Sequence, residues 1–473
     1  MEKLESYSPD WAAKICDIPA DLIEKVAVEF GTYRPSVIDP GWHDPKYENS
    51  VQTWRMVAIL NALVGNIDKP GGLVFNAAGR SVKSKPLPDA RFDVQWSKKK
   101  GIIVNNAQAN VLALYDAVVH GDPYPIKSLL LGGGNWVRTL PDDKKVKEIF
   151  LKLEDVIVID NMPTDTAMYA DVILPDTTYL ERDDPLFGIG FTPDAAVYTA
   201  YKAVEPLYDS RPMIDILVGI ADKLGMREAY FKAVAAIMGF KDYKKLMEGY
   251  ESEGIAGLRK VLAEAKGISL SDLESKGVVV KVPREKLVGT MPYKKPLNIP
   301  SGKVEIYSFK LAAITAKAGK DPIWSPLPEW VPPRVHNRAG GDVFYLTYGR
   351  SPITSHTHTS DNELLLSIGR KAHFGVWINA KKAKELGIEE GDLVRLTSLQ
   401  SGNSTVAVAF VTEAIRPDTI FTVSGWGQES NKLAFARKVR GVALNKLWAQ
   451  FDKPFKLLPN ALTQEILVKV ERV

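Results

Sequence analysis

The sequence has almost no cysteine: Cys16 is the only one among 473 residues. A single thiol excludes an intrachain disulfide, and it excludes an iron–sulfur cluster or a thiolate zinc site held by this chain alone. Cys16 lies in a run whose apolar residues recur at helical spacing. We therefore expect Cys16 to be a small buried hydrophobe rather than a reactive group.

Charge of one sign and long hydrophobic runs are also lacking. The 61 lysines and arginines nearly balance the 57 aspartates and glutamates, so nothing argues for nucleic acid or an acidic membrane surface as a partner. No apolar segment is long enough to span a bilayer, and the first residues lack the apolar core of a secretory signal. We expect a soluble protein, or one peripheral to a membrane through its partners, on a side of the membrane that the sequence does not specify.

Strand and helix patterns alternate from about residue 77 to residue 323. Strand-like runs at 126–131 and 156–159 alternate with helical patterns at 142–153 and 213–224. This alternation predicts a parallel sheet in an α/β fold, and the helical stretch 228–273 predicts an insertion.

The two ends of the chain have a different character. Residues 1–76 show helix starts near Pro9 and Pro19, a short strand-like segment at 35–40, and a helix at 52–63, as expected for the end of an α/β domain. After a proline-rich linker, short strands such as 394–397 and 405–411 alternate with glycine-centred turns and predict a small β-barrel. We therefore predict three domains: residues 1–76, 77–330 and 331–473.

An acid directly follows the most strand-like run of the chain. The β-branched run 156–159 ends on Asp160; Thr164 and Thr166 follow, and a second apolar run stops at Pro175. In open α/β sheets, an acid at the carboxyl end of a strand can accept from a ribose hydroxyl or a guanine edge, while nearby hydroxyls and amides take phosphates. An acid in this position can equally be a helix N-cap or a solvated loop residue.

A glycine-rich turn precedes this acid by one helix and one strand. Leu129–Leu131 runs into Gly132, Gly133, Gly134 and Asn135. Glycines let backbone amides approach a diphosphate closely, although a plain strand-to-helix turn has the same composition. The spacing predicts that this turn and Asp160 lie on adjacent loops at one edge of the sheet.

Two later segments carry polar and aromatic candidates. Arg350 and Ser351 precede His356 and His358, whose spacing offers a metal no third ligand nearby, so we predict no metal site. The alternative is a solvated strand end. Further on, Trp426 follows Gly425 and could stack on a ring or be buried in the barrel, and Asn445 could read a ring edge with its amide.

The segment 155–183, DVIVIDNMPTDTAMYADVILPDTTYLERD, resembles a signature of the molybdenum bis(pyranopterin guanine dinucleotide) oxidoreductases, the dimethyl sulfoxide reductase family. In that signature an acid is followed by Thr-acid-Thr-Ala, by Ala-Asp-Val-hydrophobic-Leu-Pro and by Glu, matched here by Asp160, 164–167, 170–175 and Glu181. YSPDWA, IPADLI and LNALVGNIDKPGG resemble the end of the family's third domain. VWINAKKAKELGIEEGDLVRLTS resembles its C-terminal barrel, which is of the double-psi type.

The resemblance implies a set of cofactor-binding residues. It also implies that His356 and His358 line the channel by which a substrate approaches the metal, and they are the candidates for a catalytic role. The set is Gly133, Gly134, Asn135, Asp160, Thr164, Thr166, Asp171, Arg350, Ser351, His356, Gly425, Trp426 and Asn445. The family usually has proline after the asparagine of the glycine turn, where this chain has Trp136.

The resemblance also implies an activity. Such enzymes hold molybdenum or tungsten with two molybdopterin guanine dinucleotides and transfer an oxygen or sulfur atom with two electrons in anaerobic respiration. YSPDWA, PSGKVEIYS and LERDDP resemble the branch of polysulfide, thiosulfate, tetrathionate and arsenate reductases. An N-terminal half or partner chain would carry the iron–sulfur cluster and the metal ligand, beside an electron-transfer iron–sulfur subunit and a membrane-anchor subunit. The alternative is a cofactor-free structural subunit of a respiratory complex built on the same fold.

Overall fold

The computed structural model describes residues 5–39, 41, 46–73, 91–100, 111–188, 195–283, 301–368, 371–448 and 464–473. Its first described elements are the helices α1 (Pro9–Cys16), α2 (Ala20–Thr32) and α3 (Ser50–Leu63). Ser8 caps α1, because its hydroxyl accepts from the backbone N–H of Trp11 at 3.1 Å. Neither α1 nor α2 has a buried residue.

Two expectations for this region are wrong. Cys16 is exposed rather than buried, because α1 packs no residue into a core. Residues 35–39 form no strand. Helix α3 does pack: the side-chain amide of Gln52 donates to the carbonyls of Pro322, Ile323 and Ser325 at 3.0–3.2 Å.

A three-stranded parallel sheet forms the centre of the α/β region, in the order β1 (Ser128–Gly132), β2 (Asp155–Asp160) and β3 (Val172–Pro175). Leu129 pairs with Val156, and Ile157 pairs with Val172. The helices of this region are α4 (Phe92–Lys99), α5 (Val111–Tyr115), α6 (Trp136–Thr139) and α7 (Asp143–Lys152). Since all three strands run the same way, the residues that follow them meet at one edge.

The predicted helical insertion packs on a second, antiparallel sheet. Its strands are β4 (Phe187–Gly188), β5 (Ala195–Tyr198) and β6 (Val278–Val282), and its helices are α8 (Met213–Lys223), α9 (Arg227–Met238), α10 (Tyr243–Ala265) and α11 (Leu270–Lys276). Helix α10 is kinked at Glu253 and Gly254, where the backbone is not helical. Phe231, Leu246 and Leu262 are at most 1% exposed in the core between these helices.

The C-terminal region is a closed barrel of six strands in the order β10-β8-β11-β7-β12-β9. They are β7 (Val343–Gly349), β8 (Val376–Asn379), β9 (Leu393–Ser398), β10 (Ser404–Thr412), β11 (Thr419–Val423) and β12 (Leu467–Arg472). Two pairs, β7–β11 and β8–β10, are parallel. Alternate residues of each strand fill the interior, among them Phe344, Val394 and Val468, all fully buried.

Short helices connect the two regions and decorate the barrel: α12 (Phe309–Ala318), α13 (Glu363–Ile368), α14 (Ala380–Glu385) and α15 (Ala434–Val439). The predicted fold class, an α/β parallel sheet followed by a small barrel, is confirmed. Within the described ranges, no helix is both long and apolar enough to cross a membrane.

Candidate functional site

Asp160 lies at the carboxyl edge of the parallel sheet, between the turns that follow β1 and β3. The N–H of Gly133 donates to the carbonyl of Ile159 at 2.8 Å, and the N–H of Asp176 donates to the carbonyl of Asp160 at 3.1 Å. The Asp160 carboxylate accepts from the N–H of Met162 at 2.9 Å and is 7% exposed. The structure therefore brings Asp160 and the glycine turn together, as their spacing predicts.

The barrel reaches this edge. Burial raises the pKa of Asp160, an effect opposed by the N–H of Met162 and by the nearby His358. Met162 packs against a hydrophobic cluster of the barrel region that includes Phe374 and Trp426, and the hydroxyl of Ser430 donates to the carbonyl of Pro163 at 2.7 Å. The site thus lies where the carboxyl edge of the sheet meets the loops of the barrel.

Three polar candidates near the sheet, Asn135, Thr164 and Thr166, form hydrogen bonds within the protein. The side-chain oxygen of Asn135 accepts from the N–H and the hydroxyl of Thr166, at 3.2 and 3.1 Å. The Thr166 hydroxyl accepts from the N–H of Val137 at 3.0 Å, and that of Thr164 accepts from the N–H of Ala167 at 3.3 Å. These side chains fix the shape of the loops that follow β1 and β2, and their hydrogen bonds are made within the protein.

Asp171 does not join this site. It precedes β3, and its carboxylate accepts from the N–H of Val156, near the start of β2, at 2.8 Å. It therefore lies at the amino edge of the sheet, about 13 Å along the strand direction from the edge that carries Asp160, at roughly 3.3 Å per residue. The assignment of Asp171 to cofactor binding is not supported by its position.

The barrel-side candidates Arg350, His356 and His358 are exposed, in the turns that follow β7. Ser351 uses its hydroxyl to accept from the N–H of Ile353 at 3.0 Å. His356 has a positive φ of 51°, and its pKa is lowered by the partial desolvation of its ring, then by the charges of Arg350 and His358. The segment forms turns rather than the strand end considered from the sequence.

Gly425 is required where this turn meets the next loop. Its φ is +89°, and a Cβ at this position would lie 3.3 Å from the carbonyl oxygen of His356. A larger residue would push the histidine-bearing turn away, so Gly425 shapes the cleft through its lack of a side chain.

Trp426 takes the second of the two positions considered for it, burial in the barrel, whereas Asn445 is placed differently from the ring-reading role. Trp426 is 1% exposed and packs on Phe374, with ring centroids 4.7 Å apart, so its ring is not available to stack on a ligand. Asn445 is also 1% exposed; its amide donates to the carbonyl of Val137 at 2.8 Å and its oxygen accepts from Arg138 at 3.4 Å. Both side chains are buried and contact other residues of the protein, so their position indicates a structural role.

A charged network missed by the sequence analysis joins the barrel to the sheet region. Arg138 has a fully buried side chain, with its Nε 3.7 Å from Asp165. The Glu429 carboxylate lies 2.8 Å from the ammonium groups of both Lys147 and Lys446. Burial alone would raise the pKa of Glu429, but these two lysines and Arg138 lower it to about 2. No local pattern signals this network, since its members are far apart in sequence.

Asp176 was also missed, although the rule that singled out Asp160 applies to it. It directly follows β3, and burial raises its pKa despite Arg182, whose guanidinium lies 3.7 Å away. One carboxylate oxygen of Asp176 and the hydroxyl of Thr177 are buried without a hydrogen-bond partner among the described residues. Polar groups of a bound molecule would complete the hydrogen bonding at these atoms.

The described residues include no group of three histidines, cysteines or acids placed to hold a metal ion. The site offers a buried carboxylate at Asp160, a turn without side chains at Gly133 and Gly134, and the exposed cation Arg350, a combination that suits a phosphate-bearing nucleotide.

Comparison with known proteins agrees with this geometry. Residues 13–223 match the family model of molybdopterin oxidoreductases, and residues 344–456 match the molybdopterin dinucleotide binding domain. The thiosulfate reductase molybdopterin-containing subunit PhsA of Salmonella typhimurium is 26% identical over 460 residues, which span 91% of this chain and 57% of that protein. The putative dimethyl sulfoxide reductase chain YnfE of Escherichia coli is 30% identical, over 82% of this chain and 49% of its own length.

Among solved structures, the acetylene hydratase of Pelobacter acetylenicus superposes with a TM-score of 0.71 at 20% identity, over the whole of this chain and 66% of that one. This similarity supports the fold. The chain belongs to the molybdopterin oxidoreductase family, the dimethyl sulfoxide reductase family. It spans about half the length of the curated relatives it matches.

Proposed function

We propose that this chain is part of a molybdenum or tungsten oxidoreductase and binds the guanosine end of a molybdopterin guanine dinucleotide at Asp160. The observation that carries the proposal is the position of Asp160, a buried carboxylate between the glycine turn and the histidine-bearing turn of the barrel. A carboxylate can accept from two donors at once, as the guanine edge or two ribose hydroxyls would require.

The other residues of the cleft have complementary roles in this proposal. Gly133 and Gly134 give a phosphate group room to approach the backbone, because neither has a side chain and Gly133 adopts a φ of +59°. The N–H of Gly133 itself stays bonded to the carbonyl of Ile159. Arg350 offers a charge-assisted contact to an anion, and His356 and His358 line the approach from the barrel side. The bound group would supply two-electron chemistry for oxygen or sulfur atom transfer on a sulfur compound or an oxyanion.

The proposal includes a partner chain or segment that covers the N-terminal helices. The apolar residues Leu22, Val26 and Val28 of α2 are 44–60% exposed, and neither α1 nor α2 buries a residue. Such a surface is typical of an interaction site. We propose that the polypeptide seated there carries the iron–sulfur cluster and the metal ligand, with an electron-transfer subunit and a membrane-anchor subunit beyond it.

The test is elemental and nucleotide analysis of the protein purified together with the products of neighbouring genes. We expect about two guanosine nucleotides and one molybdenum or tungsten atom per assembled enzyme, and reduction of thiosulfate, tetrathionate or arsenate with a reduced viologen dye. An assembled protein without metal, pterin or guanosine would contradict the proposal.

That outcome would favour the second candidate, a cofactor-free structural subunit. One observation supports it: the side chains of Asn135, Thr166 and Asn445 satisfy their hydrogen bonds within the protein, without any ligand. Asp176 and Thr177, which retain buried atoms without partners among the described residues, favour the cofactor-binding candidate.

A further inference from the structure

Two cations lie close together at the end of the barrel where β7 terminates. The ammonium of Lys46 is 4.4 Å from the centre of the Tyr348 ring, and Arg350 follows Tyr348 by two residues. Burial, and then the charge of Arg350, lower the pKa of Lys46, as expected when two positive groups approach each other. Unbalanced positive charge of this kind attracts anions.

Two acids of this region, Glu48 and Glu465, bond to other groups. Glu48 forms a two-pronged pair with Arg334, with distances of 2.7 and 2.9 Å. Glu465 accepts from the N–H groups of Glu48 and Arg334, at 2.7 and 2.9 Å. Within the described part of the chain, neither Lys46 nor Arg350 forms a salt bridge with a carboxylate.

A buried donor lies on a neighbour of the Tyr348 ring that Lys46 contacts. The Trp448 ring is 5.3 Å from the Tyr348 ring, and its indole N–H is buried without an acceptor among the described residues. Gln464 bonds to both segments. Its backbone N–H donates to the carbonyl of Lys46 at 3.3 Å, and its side-chain amide donates to the backbone carbonyl of Tyr348 at 3.5 Å. A buried donor without an acceptor is unfavourable unless a ligand completes it.

We infer that Lys46, Arg350 and the indole N–H of Trp448 form a binding cluster for a tetrahedral oxyanion. The inference rests on the proposed function and narrows its substrate class. A sulfur oxyanion substrate and the diphosphate of the bound dinucleotide share this chemistry. Relatives of the chain are named as reductases of an anion, thiosulfate, and of neutral oxides such as dimethyl sulfoxide, so a cation cluster would separate the two substrate classes.

The first experiment measures kinetics of the assembled enzyme carrying Lys46→Met, with thiosulfate and dimethyl sulfoxide as the two substrates. For a substrate site we expect the KM for thiosulfate to rise about tenfold or more, with guanosine content and the KM for any dimethyl sulfoxide activity unchanged. Lys46→Arg should restore the KM. Lys384→Met, which removes an exposed charge from α14 at the other end of the barrel, is the matched control.

The other outcomes are equally informative. A loss of guanosine with unchanged KM values assigns the cluster to the diphosphate of the dinucleotide. Equal changes for both substrates, or no change in KM or guanosine content, would overturn the oxyanion cluster.

A second experiment needs neither cofactor nor activity. The thermal midpoint of the full chain is measured in sodium sulfate and in sodium chloride of equal ionic strength, which removes general screening. Because a ligand that binds only the folded state raises its stability, we expect sulfate to stabilise the parent chain more than Lys46→Met. Equal stabilisation of both chains would overturn the cluster. If the assembled parent enzyme shows no turnover, this result contradicts the proposed function but not the oxyanion cluster, which the sulfate measurement tests separately.

Discussion

Asn135 and Thr166 are joined by two hydrogen bonds that connect the loops after β1 and β2: the Asn135 side-chain oxygen accepts from the N–H of Thr166 at 3.2 Å and from its hydroxyl at 3.1 Å. Both residues are buried, and Asn135 also donates to Asp165 at 3.2 Å. This pairing holds the glycine turn beside Asp160, so it determines the geometry of the cleft without contacting a ligand.

We predict that Asn135→Ala destabilises the chain by about 1–3 kcal/mol. The substitution leaves the buried N–H and hydroxyl of Thr166 without their acceptor and the carboxylate of Asp165 without one of its donors. Urea unfolding measures the free energy change. The control is Ser128→Ala, which removes an exposed hydrogen bond from β1 to Asp155 of β2 and should change stability by less than about 0.5 kcal/mol. Equal effects of the two substitutions would contradict the role given to Asn135.

A second prediction concerns the pH dependence of the contact between barrel and sheet. The pKa of Glu429 is lowered from 4.5 to about 2 by Lys147, Lys446 and Arg138, against the effect of burial. A carboxyl group whose folded-state pKa is depressed contributes stability above its unfolded pKa and loses it as the pH falls through the folded value. The contribution of Glu429 should therefore disappear between about pH 4.5 and pH 2.

Thermal midpoints at pH 7 and pH 3, compared for the parent chain and Glu429→Gln, test this expectation. The difference between the two chains should be larger at pH 7 and should shrink at pH 3. Glu154→Gln, which breaks the exposed pair with Lys127, is the control and should show little effect at either pH because exposed pairs contribute little. A difference that stays constant with pH would exclude Glu429 as the titrating group.

Several elements of the fold were predictable because each depends on a local pattern, although the strand expected at 35–40 is absent from its described residues, 35–39. The β-branched run before Asp160 and the alternation in the barrel identified β2, β9 and β10 to within one residue. Strand direction also fixed which acid would reach the cleft: Asp160 follows a strand, whereas Asp171 precedes one and therefore lies at the opposite edge. Asp176, which again follows a strand, was predictable by the same rule and was overlooked.

The roles of the remaining site residues depend on contacts that a local pattern does not contain. Asn445 and Trp426 have side chains suited to reading or stacking on a ring, yet burial commits both to neighbours within the protein. The partner of Asn445, Arg138, lies 307 positions away in the sequence. Tertiary contacts of this kind decide whether a polar side chain faces a ligand or a neighbouring residue. The same local sequence is compatible with either outcome, so the sequence pattern does not distinguish them.

A third prediction concerns the uncovered face of α2. We expect the chain alone to reduce neither thiosulfate nor tetrathionate with a viologen dye, and to gain activity only with the partner polypeptide. Val26→Glu should abolish co-purification of that partner, because it places a charge in an apolar contact. Lys25→Glu changes the charge of a neighbouring residue that is largely exposed and should leave co-purification intact. Reductase activity of the chain by itself would contradict the need for a partner.

The final prediction separates the ligand-binding role of Asp160 from a structural one. Burial raises the pKa of this carboxyl, which means that the folded protein favours its protonated form. For an acid shifted in this direction, the favourable contribution is complete below the unfolded pKa and is lost as the pH rises through the folded pKa. The ionised carboxylate is therefore a net cost to folding at neutral pH, as is common for groups retained for function.

Asp160→Asn should consequently leave the thermal midpoint of the isolated chain at pH 7 unchanged or slightly higher, while the assembled enzyme retains less guanosine nucleotide. An amide presents one acceptor where the carboxylate presents two, so the guanine edge or the ribose loses a partner. Asp171→Asn is the matched control, since its carboxylate lies at the amino edge of the same sheet and should not affect guanosine content. Full guanosine content in Asp160→Asn would exclude the binding role, and a collapsed thermal midpoint would identify Asp160 as a structural cap through its bond to the N–H of Met162.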